Sequence, residues 1–423
     1  MGMPLNFKLW APLLLAMTAR TRASHVGTSL LKIAAGCSCV ALAASVAPSQ
    51  AHASAPAKPN QELEARALVS QLGLSKTIRG ITVGPIENQR HAGHGYGSRA
   101  CNRTMLEVKR MGGNWVSLTP FGRIWDIHPT GVAMNFEVPF TENRKAVMAA
   151  VEQAHAAGLR VMLVPHLWVE SGEWRGLIDP GGDAEWERWA KSYETFVTAW
   201  AKVAEAAKVD MLASGIELRH WLTTDRAPSF LPIIKRLRAI YSGPITYAAN
   251  WDDVEDTVIW GDLDVIGINA FYPLATRENA PFDELLQQAY IVTDRAEQLA
   301  ERWHKPFVFT EFGYTTRKDP ALRPWEWPEA LSNVVIDERA QAEAYRALLG
   351  AVIDKTWFAG LFVWRLYADP DDISQEPEFG FSFRGKLAEL ELRDAFATRW
   401  SNDGIRPFGF ALMSRANDRI GDY

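Results

Sequence analysis

Two glutamates, far apart in the chain, each close a short apolar run: Ser214-Gly215-Ile216-Glu217-Leu218 and Phe309-Thr310-Glu311-Phe312-Gly313-Tyr314. Other runs end in groups that grip or stack on polar ligands: Pro165-His166-Leu167-Trp168, Asn250-Trp251-Asp252-Asp253, Asn269-Ala270-Phe271-Tyr272-Pro273 and Trp364-Arg365. Two carboxyl groups among aromatic faces and hydrogen-bonding side chains suit cleavage of a bond between sugars. That reaction passes through an oxocarbenium-like species, so it needs negative charge near the anomeric carbon and a proton for the leaving oxygen. A carboxyl separation of about 5–5.5 Å lets one carboxylate attack, whereas a wider gap admits a water and inverts the product. A lone glutamate ending a strand is more often a salt-bridge partner or a helix cap. The pair, in these surroundings, is what points to chemistry.

Other chemistries find less support. Nine histidines show no HExxH-like spacing, and Cys101 is the one cysteine outside the N-terminal segment, so neither a metal site nor an internal disulfide is expected. No GxGxxG or GxxxxGK[ST] follows any apolar run. The proposed chemistry needs no cofactor. A net charge of -5 gives no reason to expect nucleic acid or an anionic membrane as partner.

Groups so far apart in sequence meet only if the elements carrying them converge. From Leu72 onward short apolar runs alternate with longer amphipathic stretches. The runs are Arg79–Val83, Trp115–Leu118, Arg160–Pro165, Met211–Ile216, Pro244–Ala249, Val265–Ile268, Phe307–Thr310 and Gly360–Trp364, as strands buried on both faces should read. Helical patterns such as Glu142–Ala157, Glu185–Lys208 and Ala340–Lys355 lie between them, and Gly158 and Gly243 punctuate the steps back to the next strand. Eight β-then-α units predict an α/β fold, a single (β/α)8 TIM barrel, in which chemistry sits at the C-terminal strand ends. Glu217 and Glu311 then end the fourth and seventh strands, which face each other across the mouth. His166, Trp168, Asn250, Trp251, Tyr272 and Trp364 are the expected substrate-binding residues around them. Most of the seventeen tryptophans read as core, but Trp168, Trp174 and Trp251 follow expected strands, and at least one of them is expected to form a sugar platform.

Residues 1–53 read as a targeting segment: Arg20, Arg22 and Lys32 precede the apolar stretch Ile33–Ala47, and Ala51-His52-Ala53 is a small-x-small cleavage site. Cys37, after Ala34-Ala35-Gly36, offers a lipoprotein alternative that the continuing apolar run disfavours. Residues 54–70 read as a linker, 71–400 as the barrel and 401–423 as a C-terminal tail. The expectation is an exported monomer, periplasmic or secreted, with no membrane contact after cleavage.

The two glutamate strands resemble the acid/base and nucleophile strands of the retaining clan A glycosidases. Asn114-Trp115-Val116-Ser117-Leu118-Thr119-Pro120-Phe121, Val164-Pro165-His166, Ala249-Asn250-Trp251 and Asn269-Ala270-Phe271-Tyr272-Pro273-Leu274 narrow this to glycoside hydrolase family 113, mainly endo-β-1,4-mannanases. The similarity spans most of residues 78–370. It implies that Glu217 is the general acid/base, Glu311 the nucleophile, Tyr272 a hydrogen-bond donor to the nucleophile and Trp364 the floor of the subsite for the cleaved sugar. One departure stands out: Ile216 precedes the acid/base where many clan members have Asn, so Asn250 or His166 must hold the sugar 2-hydroxyl instead. The resulting expectation is retaining hydrolysis of an extracellular polysaccharide, β-mannan first. The alternatives are another β-glycan (glucan, xylan or a heteropolysaccharide) and a barrel that binds carbohydrate without cleaving it.

Overall fold

The computed structural model describes residues 77–85 and 93–399. The expected targeting segment, linker and tail lie outside these residues. The ten described strands are β1 (Ile78–Gly84), β2 (Trp115–Leu118), β3 (Phe121–Ile124), β4 (Arg160–Leu163), β5 (His166–Val169), β6 (Met211–Ile216), β7 (Ile245–Asn250), β8 (Ile266–Asn269), β9 (Phe307–Phe312) and β10 (Phe358–Tyr367). Eight of them close a parallel barrel in the order β1-β10-β9-β8-β7-β6-β4-β2, so the expected TIM barrel is the fold. The described α-helices are α1 (Arg99–Arg110), α2 (Phe140–Ala156), α3 (Asp183–Ala207), α4 (Arg219–Leu222), α5 (Leu231–Ile240), α6 (Phe282–Trp303), α7 (Glu338–Val352) and α8 (Leu387–Asp394). None is long and apolar enough to cross a membrane.

The strands are apolar throughout because each is covered twice. One core fills the barrel, from Ile78, Trp115 and Met162 to Val308 and Phe362. The other lies between sheet and helices. Trp186, Trp189, Tyr193, Phe196 and Trp200 recur every three or four residues along α3 and bury one face of it, so much of the aromatic content is core. At the seam between β1 and β10, Gly360 has φ 130, and a Cβ there would lie 2.2 Å from the Ile78 carbonyl oxygen. Only glycine lets the two backbones approach that closely.

Two departures from the expected pattern shape the mouth. Strands β2 and β4 do not stop cleanly. After Thr119-Pro120 and Val164-Pro165 they resume as β3 and β5, a two-stranded parallel ribbon in unchanged register: Leu118 pairs with Leu163 and Phe121 with His166. Proline has no N–H for the ladder, which explains the break without a change of direction. The fifth connection, moreover, holds no α-helix, only turns and a 3-10 turn at Ile259–Asp262. Trp260, fully buried, packs 6.0 Å from Tyr247 and donates to the Val254 carbonyl 3.0 Å away. Asp252 and Asp253 therefore cap no helix.

Candidate active site

Glu217 follows β6 in a left-handed backbone conformation, φ 49, while its N–H still donates to the Ala248 carbonyl of β7 at 2.8 Å. Both carboxylate oxygens are held. Oε1 accepts from Asn269 Nδ2 at 2.9 Å, and Asn269 is itself oriented by Thr310, whose hydroxyl donates to Asn269 Oδ1 at 3.0 Å. Oε2 accepts from Trp174 Nε1 at 2.9 Å and lies 3.4 Å from Arg175 Nη1. Behind Trp174 stands Arg219, its guanidinium 4.7 Å from the ring centroid. Arg219 in turn binds the carboxylates of Asp252 and, at 3.1 Å, Asp253. Burial pushes the Asp253 carboxyl up from 3.8 to about 7, with Arg219 pulling the other way.

Glu311 lies on β9 beside Asn269 of β8, so the asparagine that binds Glu217 is the ladder partner of Glu311. The two glutamates thus share one mouth, and both are buried, at 8% and 7% exposure. Burial, and then the Glu217 charge, push the Glu311 carboxyl well above the ordinary 4.5, while Arg175 and Arg365 oppose the shift. The neighbour of its Oε1 is His166 Nε2, 3.2 Å away. Burial and Arg175 hold that imidazole well below 6.5, and its Nδ1 donates to the Val164 carbonyl at 2.8 Å. A neutral ring with its proton on Nδ1 presents a lone pair at Nε2. Nε2 can therefore accept a hydrogen bond from Glu311 when that carboxyl is protonated. The Trp364 ring lies parallel to His166, 6.1 Å away at 22°, in a buried cluster with Phe271 and Phe381.

The remaining expected residues are placed less centrally. Trp168, on β5 and 39% exposed, packs edge-on against Phe121, one step out from His166. Asn250 ends β7 but donates to Asp252 in its own turn, at 2.7 Å. Trp251 stacks on Trp325, 5.4 Å away at 22°. Tyr272 needs correcting. Its ring lies in the outer core, 6.2 Å from Phe309, and faces Glu255 and Arg295 rather than Glu311. Tyr272, three residues beyond β8, lies on the helix side of the sheet beside Arg295 and Leu299, and His166 occupies the hydrogen-bonding position beside Glu311. Glu170 binds Arg123 at 3.0 Å and Glu173 binds Ser171 at 2.7 Å, as surface charges do. His94, in the Gly93–Gly97 loop, binds Asp369 and so ties the loop after β1 to the one after β10. Cys101 is buried, and its thiol is pushed up to about 11.

Four residues around the glutamates had been given no part there: Asn269, Arg175, Arg219 and Arg365. Asn269 was visible at a strand end. Arg175 and Arg219 open single helical turns too short for any period to mark direction. The buried Nε atoms of Arg175 and Arg365 have no hydrogen-bond partner among the described residues. The described residues also contain no cluster of three or more His, Cys, Asp or Glu able to hold a metal ion.

Two carboxyl groups fixed at the fourth and seventh strand ends of a closed barrel, with an aromatic ring beside them, put this chain in the class of barrel glycoside hydrolases. The family model described as Glycoside Hydrolase Family 113 matches residues 89–386, and the chain belongs to that family. Among solved structures it is similar to a family 113 β-mannanase from Alicyclobacillus acidocaldarius, solved in complex with ManMIm. That likeness has 26% identity and a TM-score of 0.65, over 76% of this chain and 97% of the other. A second family 113 β-1,4-mannanase, at 23% identity and TM-score 0.64, covers 77% of this chain and 100% of its own and supports the fold alone. A Faecalibacterium prausnitzii β-glucuronidase shares the fold at 17% identity and TM-score 0.53, over 77% of this chain and 50% of its own. No curated protein sequence matches.

Proposed function

We propose that this glycoside hydrolase cleaves β-1,4-mannan with retention of configuration, Glu217 acting as acid/base and Glu311 as nucleophile. The observation that carries the reading is Asn269, whose side chain bonds the Glu217 carboxylate and whose backbone pairs with that of Glu311, setting the two glutamates side by side at one mouth. In the reactive form the pair's one proton sits on Glu217: ionised Glu311 attacks the anomeric carbon as Glu217 gives that proton to the departing oxygen. Glu217 then takes a proton from water, whose oxygen displaces Glu311 and restores both groups. His166 lies 3.2 Å from Glu311, and Trp364 stacks beside His166. Mannan is the first choice because the A. acidocaldarius relative is a β-mannanase. Export fits residues 1–53 as a cleaved leader.

An acidic heteropolysaccharide is the second substrate reading. Arg175 and Arg365 both act on Glu311, and the buried Nε of each has no hydrogen-bond partner among the described residues. A polysaccharide panel including mannan, glucan, xylan and an acidic heteroglycan separates the choices. Mannan turnover with a product first formed as the β-anomer is expected. No mannan turnover, or an α-anomer, contradicts the proposal. Binding without hydrolysis of any activated aryl β-glycoside would favour a non-catalytic barrel.

A further inference from the structure

The β3–β5 ribbon runs outward from Glu311, and its side chains alternate in direction. Phe121 and Arg123 on β3 share a face with their partners His166 and Trp168 on β5, because successive residues of a strand point to opposite sides. The other face, at Gly122 and Ile124, is closed: Gly122 lies against Phe196 of α3, and Ile124 is fully buried. His166 reaches Glu311, Trp168 comes next, and Trp125 stands at the outer end, four residues or about 13 Å beyond Phe121. Trp125 is 64% exposed, the most open of the large apolar side chains among the described residues. Its ring lines a concave space of about 430 Å³ shared with Asp126, His128, Thr130 and Ser192. That volume falls in the range of small-ligand sites, which are typically about 300–1,000 Å³.

From this file of aromatics we infer a second carbohydrate subsite at Trp125. It would hold hexopyranose units of the same glycan chain that Glu217 and Glu311 cleave, remote from the scissile bond. The inference rests on the proposed glycosidase reading. An indole face suits the C–H face of a pyranose ring, and the carboxylate, imidazole and hydroxyl groups around it suit the ring's edge. His128 has one ring nitrogen committed, its Nδ1 lying 2.7 Å from the Asp179 carbonyl oxygen, and its side chain borders the same space. The ribbon keeps platform and carboxylates in fixed relation, so a chain long enough to reach both gains contacts that a short substrate never makes. Chains long enough to reach Trp125 are then bound more tightly than short ones.

The test compares wild type with Trp125→Ala and Trp125→Phe on mannan and mannohexaose, and on an activated aryl β-mannobioside too short to span the ribbon. Trp125→Ala is expected to raise KM for mannan and mannohexaose about tenfold, with kcat and the aryl substrate nearly unchanged. Trp125→Phe should recover part of the loss. Equal kinetics of wild type and Trp125→Ala on the long substrates would overturn the inference, as would an equal loss on long and short ones. A wild type inactive on all three would overturn the mannanase reading and this inference together.

Discussion

Replacing Glu217 by Ala should move the acidic limb of the pH profile downward. The fate of the leaving group is removed from the experiment by a dinitrophenyl β-mannoside, which departs without protonation. The limb of kcat/KM then reports ionisation of the nucleophile in the free enzyme. Glu311 is raised by burial first and by Glu217 second. Retaining chemistry sets the two carboxyl groups about 5.5 Å apart, where one unit charge acts on another with about 3 kcal/mol at an effective dielectric near 20, or roughly 2 pH units. Arg175, 3.4 Å from Glu217, already cancels part of that field. The expected shift therefore lies between about 1 and 2 pH units, downward, because a neighbouring negative charge favours the protonated acid. The burial contribution stays, so the limb should remain above the ordinary carboxylate range. An acidic limb unmoved by the substitution would refute the electrostatic coupling, and with it the convergence of the two groups on one sugar.

Two further outcomes follow from the supports of the site. Arg219→Ala should lower stability by about 2–3 kcal/mol at pH 8, since it leaves Asp253 buried beside a partly exposed Asp252 with no cation. Asp253 has a folded value near 7 against an ordinary 3.8, so ionising it between those values costs stability; the deficit should shrink as pH falls toward 5, and denaturation midpoints that show the same deficit at both pH values would contradict this. Gly360→Ala should cost on the order of 4 kcal/mol or more by preventing closure of the seam, measured as lost soluble protein or a collapsed unfolding midpoint; a near-normal midpoint would show that the seam gives way.

The barrel was legible because its signal is strong and repeated: eight runs too short and too apolar to be anything but strands buried on both faces. Glu217 and Glu311 were legible because the architecture says which end of each run to inspect. Direction within the rim was harder. A bulge between Ile268 and Asn269 shifts the register with β9, and the chain beyond it turns Tyr272 toward α6 while Asn269 faces the mouth. No spacing rule carries across such a shift. The β3–β5 ribbon escaped notice because Pro120 and Pro165 read as loop, although the ladder survives them. Trp174 resembles a sugar platform in the sequence. In the fold its indole N–H bonds Glu217 and its ring is covered by Arg219, a role set by contacts between the segments after β5 and β6.

Trapping the glycosyl-enzyme tests the central claim most directly. Incubation with a 2-deoxy-2-fluoro-β-mannosyl fluoride should inactivate the enzyme with one label per chain, and peptide mapping should place that label on Glu311, absent from Glu311→Ala. A label on any other residue, or labelling that survives that substitution, would contradict the account.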